Sequence, residues 1–225
     1  MDYYIGQRVR ILSKGTGTIR YTGFLPKKEG QWLGIEWDDP TQGKHSGTFE
    51  NKKYFEVNRI ENSASFINTN SKIIVGVSIL QAAKNRYYSH NADLPKTIGV
   101  FAEVKAVGFD KIVKNYSNLQ NISVMSFNDD IISGIMNENV EDIKLNFCSL
   151  TTLDLSNNLI PSWEIVQRMV TCFPKIDSLR LDRNKMDFSP TKYFDFKSCI
   201  NIPMSSLTNL NLSRTDITWD NVAFF

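Results

Sequence analysis

A leucine pattern recurs through the second half of this chain, and it leaves few folds open. Leu150-x-x-Leu153-x-Leu155-x-x-Asn158-x-Ile160 is followed by Ile176-x-x-Leu179-x-Leu181-x-x-Asn184-x-Met186. Leu207-x-x-Leu210-x-Leu212-x-x-Thr215-x-Ile217 is a third copy, with Thr in the Asn position, and Leu119-x-x-Ile122-x-Val124 reads as a weaker first copy. The copies begin at residues 119, 150, 176 and 207, so the period runs from 26 to 31 residues, near the upper end for such repeats. Alternate leucines of a short strand point to one side, which here has to be a core. The Asn side chain is expected to bond backbone groups where the chain turns. A helix is expected after each strand. Ser162-Trp163-Glu164 and Thr218-Trp219-Asp220 read as helix starts, with the hydroxyl capping first-turn amides and the acid facing the helix dipole. Trp163, Ile165, Val166 and Met169 then pack inward. Three or more such units stack into a curved solenoid, whose concave face suits protein binding.

The first half is built differently. Val9-Arg10-Ile11-Leu12, Thr18-Ile19-Arg20-Tyr21 and Leu33-Gly34-Ile35-Glu36-Trp37 are short β-rich runs separated by Gly, Pro, Asn and Asp, the pattern of a sandwich or barrel. Between aromatic segments lies Gly43-Lys44-His45-Ser46-Gly47. Two glycines free the backbone to turn and let a ligand approach the amides. A cation beside free N–H groups suits an anion, and flanking aromatics offer flat surfaces. The loop reads as a docking site for an acidic, aromatic-tipped peptide. Residues 1–60 hold ten Lys/Arg against seven Asp/Glu, a mild excess that suits such a partner.

The ordered motifs Gly6-Gln7-Arg8-Val9, Gly17-Thr18-Ile19-Arg20-Tyr21-Thr22-Gly23, Gly30-Gln31-Trp32-Leu33-Gly34-Ile35-Glu36-Trp37-Asp38-Asp39-Pro40, the glycine loop, Lys53-Tyr54-Phe55 and Ser65-Phe66-Ile67 resemble a CAP-Gly domain. The resemblance implies a small SH3-like all-β barrel that binds the acidic, aromatic-ended tail of α-tubulin. It implies peptide-binding roles for Trp32, Gly43, Lys44, His45, Ser46, Gly47, Phe49, Lys53 and Phe55. Two positions depart from the family pattern. Ser46 stands where an Asp is usual, and its hydroxyl can still hydrogen-bond. Leu25-Pro26-Lys27-Lys28-Glu29 replaces the usual Phe before the Gly-x-Trp segment, so one groove wall is expected to be missing.

The second half resembles leucine-rich repeats, which implies an α/β solenoid after the barrel. The order of the two, with Ala83-Lys84-Asn85-Arg86-Tyr87, Val107-Gly108-Phe109-Asp110, Leu153-Asp154-Leu155-Ser156 and Asp216-Ile217-Thr218-Trp219, resembles the tubulin-folding cofactor E family. Three parts are expected: a CAP-Gly domain over 1–70, a connector with a short helix over 71–106, and repeats over 107–225, incomplete at the C-terminus. The helix is expected over residues 78–88, with Ile79, Leu80, Ala83 and Tyr87 on one side. The resemblance implies a chaperone that binds α-tubulin and works with other tubulin-folding cofactors on assembly and disassembly of the αβ heterodimer. It places the protein in the cytoplasm, associated with the cytoskeleton. The alternative is an adaptor that docks on microtubules or tip-binding proteins.

Other classes have little support. A formal net charge of +2 does not argue for nucleic acid, although a small basic barrel binding single strands is a third reading. No run approaches the roughly 18 apolar residues of a membrane span, and Met1-Asp2-Tyr3-Tyr4 does not open a signal peptide. Cys148, Cys172 and Cys199 are widely spaced, so no metal site is expected and reduced thiols are the plain reading. His90 reads as a solvated loop residue and Asp38-Asp39 as a turn before proline. Gly15-Thr16-Gly17 lacks the ending of a phosphate loop. No residue nominates itself for catalysis, and no cofactor is expected.

Overall fold

A computed structural model describes residues 2–87, 119–188 and 207–218. The N-terminal part is an antiparallel β domain. Strands β1 (Arg8–Ile11), β2 (Gly15–Gly23), β3 (Trp32–Trp37), β6 (Ala64–Asn68) and β7 (Ile73–Val75) form one sheet in the order β6-β3-β2-β1-β7. The short strands β4 (Thr48–Phe49) and β5 (Lys52–Lys53) make a separate hairpin. Val9, Ile11, Ile19, Leu33, Ile35 and Trp37 form the core. Their alternation along β1 and β3 is what places them on one face. Arg8 is also buried, and its guanidinium donates to Thr18 Oγ1 at 2.9 Å and to both carboxylate oxygens of Asp38. A charge taken out of water needs such a partner.

Past β7 the chain runs into β8 (Val77–Ser78) and helix α1 (Ile79–Tyr87). Ile79, Leu80 and Ala83 of the expected helical face are buried, and Ala82 joins them. The described chain resumes at a 3-10 turn, Leu119–Asn121, followed by β9 (Val124–Ser126), β10 (Ile132–Gly134), α2 (Val140–Asn146), β11 (Thr152–Asp154), α3 (Trp163–Val170), β12 (Ser178–Arg180) and, later, β13 (Asn209–Asn211). Strands β9, β11, β12 and β13 pair in parallel, each in register with the next. One helix lies between β9 and β11 and another between β11 and β12. Leu153, Leu155, Leu179 and Leu181 face a core shared with Ile143, Phe147, Val166, Met169 and Val170.

Asparagine bonds hold successive turns together. Asn158 Nδ2 donates to the carbonyls of Phe127, Leu155 and Ser156, and its Oδ1 accepts the Ile132 amide at 2.8 Å. Asn184 repeats this one turn on, donating to Leu155 O and Leu181 O and accepting the Asn158 amide at 2.9 Å. Thr215, in the same place of the last described turn, donates to Leu212 O at 2.7 Å.

Two expectations change. The first copy is shifted by three residues. Met125 pairs with Leu153 and Val124 with Thr152, so the true copy reads Ile122-x-x-Met125-x-Phe127. Met125 is 1% exposed and Phe127 0%, whereas Val124 is 61% exposed. The Ser162 hydroxyl makes no capping bond. The first amide of α3, that of Trp163, instead donates to Asp187 O at 2.9 Å, so the neighbouring turn's backbone does the capping. Val166 and Met169 are buried as expected. Trp163 and Ile165 are only partly buried, with Trp163 stacked on Phe188 at 6.0 Å. The expectations for His90, Leu94-Pro95, Val107–Asp110, Cys199 and Trp219-Asp220 lie outside the described residues.

The two halves touch. Strand β8 pairs in parallel with β10. Arg10 meets Asp129 at 2.7 Å, and Arg59 spans from Asp38 (3.4 Å) to Asp216 (3.2 Å) while donating to Lys185 O at 3.2 Å.

Candidate functional site

The glycine loop begins after a 3-10 turn at Pro40–Gln42, whose N-cap Asp39 accepts from the Thr41 amide. That is the turn expected of Asp38-Asp39-Pro40. The loop then lies against β6. The Lys44 and His45 amides both donate to Ala64 O, at 2.7 and 3.1 Å, and the Ala64 amide returns a bond to His45 O at 3.0 Å. Gly43 packs so closely on Asn62 and Ser63 that a Cβ there would overlap their backbone. Gly47 has φ +93° and touches the Phe55 carbonyl, so both its conformation and its surroundings demand glycine. Ser46 does the work open to the missing carboxylate. Its hydroxyl oxygen accepts the Asn62 amide at 2.8 Å, closing the loop onto the turn that precedes β6.

Loop and sheet enclose an aromatic cluster centred on Phe66. His45, Phe49, Tyr54, Phe55 and Tyr21 all meet its ring, with centroids between 4.9 and 6.0 Å. Most of these contacts are edge-on, the favoured aromatic geometry. Phe55 is buried and lies over Gly34, where a Cβ would overlap its ring. Beside the cluster runs an open groove of about 290 Å³, lined by Lys14, Leu25, Lys28, Trp32, Lys44, His45, Phe49, Ser65, Phe66 and Ile67.

The structure therefore brings Trp32, Lys44, His45 and Phe49 together on one groove. Gly43, Ser46, Gly47 and Phe55 stand behind it as supports. Lys53 does not line it. That side chain sits on the β4–β5 hairpin and pairs with Glu56. The wall expected to be missing is present, because Leu25 fills it, 4% exposed. Phe66, Lys14 and Lys28 also line the groove, beyond the site residues expected from the sequence. Phe66 was findable, since it sits in β6 opposite Gly34, a small residue that leaves room for a ring.

The His45 ring has a defined tautomer, with Nδ1 accepting the Gly47 amide at 3.0 Å. Burial, then the neighbouring Lys44, push its pKa below the ordinary histidine value. The ring is thus neutral near pH 7 and presents Nε2–H as a donor. Lys44 is exposed and supplies the loop's charge.

A larger cleft, about 470 Å³, lies between the halves and is lined by Tyr4, Ile5, Arg20, Arg59, Ile165 and Lys185 among others. Its cations are already matched: Arg20 by Glu36, Arg59 by Asp38 and Asp216, Lys185 by Asp216. No acidic residue lines the smaller groove. Among the described residues no cluster of His, Cys, Asp and Glu could hold a metal ion, and no helix is long and apolar enough to cross a membrane.

The CAP-Gly family model matches residues 5–72. Those residues are a CAP-Gly domain. Over 97% of its length the chain is 33% identical to tubulin-specific chaperone E of Bos taurus and 32% identical to that of Homo sapiens. It spans about 40% of the length of these curated relatives and fits their N-terminal part. A solved structure of the Bik1 CAP-Gly domain with an ETF peptide from Bim1 shares 33% identity, at a TM-score of 0.26, over 28% of this chain and 75% of that one.

Proposed function

We propose that the chain is the tail-recognising part of a tubulin-folding cofactor. In this reading the CAP-Gly groove takes the acidic, aromatic-ended C-terminal tail of α-tubulin. The aromatic end lies against Trp32, Phe49 and Phe66, while Lys44 and the His45 Nε2–H meet carboxylates. The parallel-strand stack is read as a leucine-rich-repeat solenoid that grips the body of α-tubulin. We place the boundaries at residues 1–70, 71–106 and 107–225. The protein acts by binding, without catalysis of its own, in the cytoplasm and alongside other tubulin-folding cofactors that handle the αβ heterodimer. Its relatives, curated as tubulin-specific chaperones, support this reading. The observation that carries it is an aromatic groove with free cations and no acid in its lining.

The test is calorimetric titration with a short peptide ending in Glu-Glu-Tyr, alongside the same peptide without the Tyr. Wild type should bind the first and not the second. Lys44→Ala should weaken binding by about tenfold, consistent with loss of a charge-assisted hydrogen bond. A folded chain that binds both peptides equally, or neither, refutes the proposal.

A further inference from the structure

The pairing of charges in the CAP-Gly domain is uneven. Arg8, Arg10, Arg20, Lys27, Lys53 and Arg59 each have a carboxylate partner. Lys14, Lys28 and Lys44 have none among the described residues, and all three line the same groove. The domain's other two cations without such a partner, Lys52 and Lys72, lie outside that lining. The contrast is sharpest at adjacent residues. Lys27 reaches Glu50 at 3.4 Å, while the Lys28 ammonium makes no bond among the described residues. Lys14 is held near the groove without being neutralised. Its Nζ donates to Gln42 O at 3.4 Å and lies 5.5 Å from the centre of the Trp37 ring.

The three lysines come from three different connections. Lys14 is in the β1–β2 turn, Lys28 in the β2–β3 loop and Lys44 in the glycine loop. Local sequence alone does not bring them together, but the fold does. Like charges gathered on one surface repel one another, and no carboxylate among the described residues pairs with these three. An external polyanion would. Leu25, Trp32 and Ile67 line the same groove, so the ligand needs carboxylates along its length and an apolar end, not charge throughout.

We infer that Lys14 and Lys28 form a second carboxylate subsite, which reads acidic residues upstream of the ligand's aromatic end. The inference rests on the groove reading proposed above and adds to it the number and spacing of charges that the groove selects. The ligand is an acidic peptide with at least two carboxylates beyond those that meet Lys44 and His45. A peptide with the right end but a neutral upstream segment binds less well.

The experiment compares two peptides, each ending in Glu-Glu-Tyr, one with two further glutamates upstream and one with glutamines in their place. Each is titrated into wild type, Lys28→Gln and the double variant Lys14→Gln/Lys28→Gln. On wild type at low salt the glutamates should improve affinity by about tenfold. Each lysine should account for about a threefold share, as expected of exposed ion pairs, and the gain should shrink as salt screens it. The advantage should fall in Lys28→Gln and vanish in the double variant. Lys28→Gln removes no hydrogen bond or ion pair seen among the described residues, so it remains informative if changing Lys14 disturbs Trp37. An equal benefit from the glutamates in all three proteins overturns the inference. If Tyr- and Lys44-dependent binding persists in that case, the groove reading stands and the inference alone falls. A folded wild type that binds neither peptide sinks both.

Discussion

His45 has two roles that conflict when it is protonated. Its Nδ1 has to stay an acceptor for the Gly47 amide, and burial beside Lys44 lowers its pKa from the ordinary 6.5. In the unfolded chain the ring takes a proton near pH 6.5. In the folded chain it does so only at lower pH. Below 6.5 the unfolded state therefore binds more protons, and stability falls as pH drops until the folded ring titrates as well. Above 6.5 this contribution is fully present. His45→Asn keeps an acceptor near the Gly47 amide without a titrating ring. Urea midpoints measured from pH 7.5 to 5 should fall more steeply for wild type than for His45→Asn. Parallel curves would show that His45 does not carry the dependence. Ser46 teaches a different lesson. From the sequence it stands as a departure from the family loop, yet its hydroxyl accepts the Asn62 amide. What that position has to supply is an acceptor for a turn, and a hydroxyl is enough.

Among the elements, the parallel strands were the most legible. Leu153/Leu155 and Leu179/Leu181 repeat a spacing that no other local structure requires, and the Asn three residues on fixes the register of each turn. The first copy was misplaced because Leu119, Ile122 and Val124 imitate the template, while the true inward residues are Met125 and Phe127. Periodicity locates a strand but does not choose between two registers that are both apolar. The Asn could have decided it, but the first turn lacks one. The Asn158 side chain reaches back instead, donating from Nδ2 to Phe127 O and accepting the Ile132 amide at Oδ1. This gives a graded prediction. Asn158→Ala removes one of two donors from each of three carbonyls and leaves the buried Ile132 amide without its acceptor, and should cost about 3 kcal/mol. Thr215→Ala removes one bond and should cost about 1 kcal/mol. Chemical denaturation of the two variants measures both. Equal losses would mean that the ladder is not what holds adjacent turns together. The groove was less legible than the ladder. Lys44 and His45 declare themselves within five residues, but Lys14 and Lys28 gain meaning only when distant loops converge and the carboxylates prove to lie elsewhere.

For the molecule as a whole, the joint between halves decides how two binding surfaces can cooperate. Arg59 belongs to the CAP-Gly domain, yet it contacts Asp216 and Lys185 O in the parallel-strand half, while Arg10 reaches Asp129 and Asn157 O. With the β8–β10 pairing, these contacts fix the groove relative to the parallel sheet. A rigid connection raises effective concentration only when its geometry matches the span between the two sites on the partner. A loose one lowers the gain but never forbids binding. If the groove takes the tail of α-tubulin while the repeats grip its body, Arg10→Ala/Arg59→Ala should separate two affinities. Neither arginine lines the groove, so titration with an isolated tail peptide should be unchanged. Binding to whole tubulin should weaken by about tenfold, the scale on which linkage geometry acts. Hydrogen exchange should rise at Met186–Phe188 and at Gly6–Arg10 while the β11–β12 ladder stays protected. Loss of peptide binding would mean the arginines support the groove itself. Unchanged affinity for whole tubulin, with exchange raised at the joint, would mean that the two halves bind independently and that their fixed orientation plays no part in holding the partner.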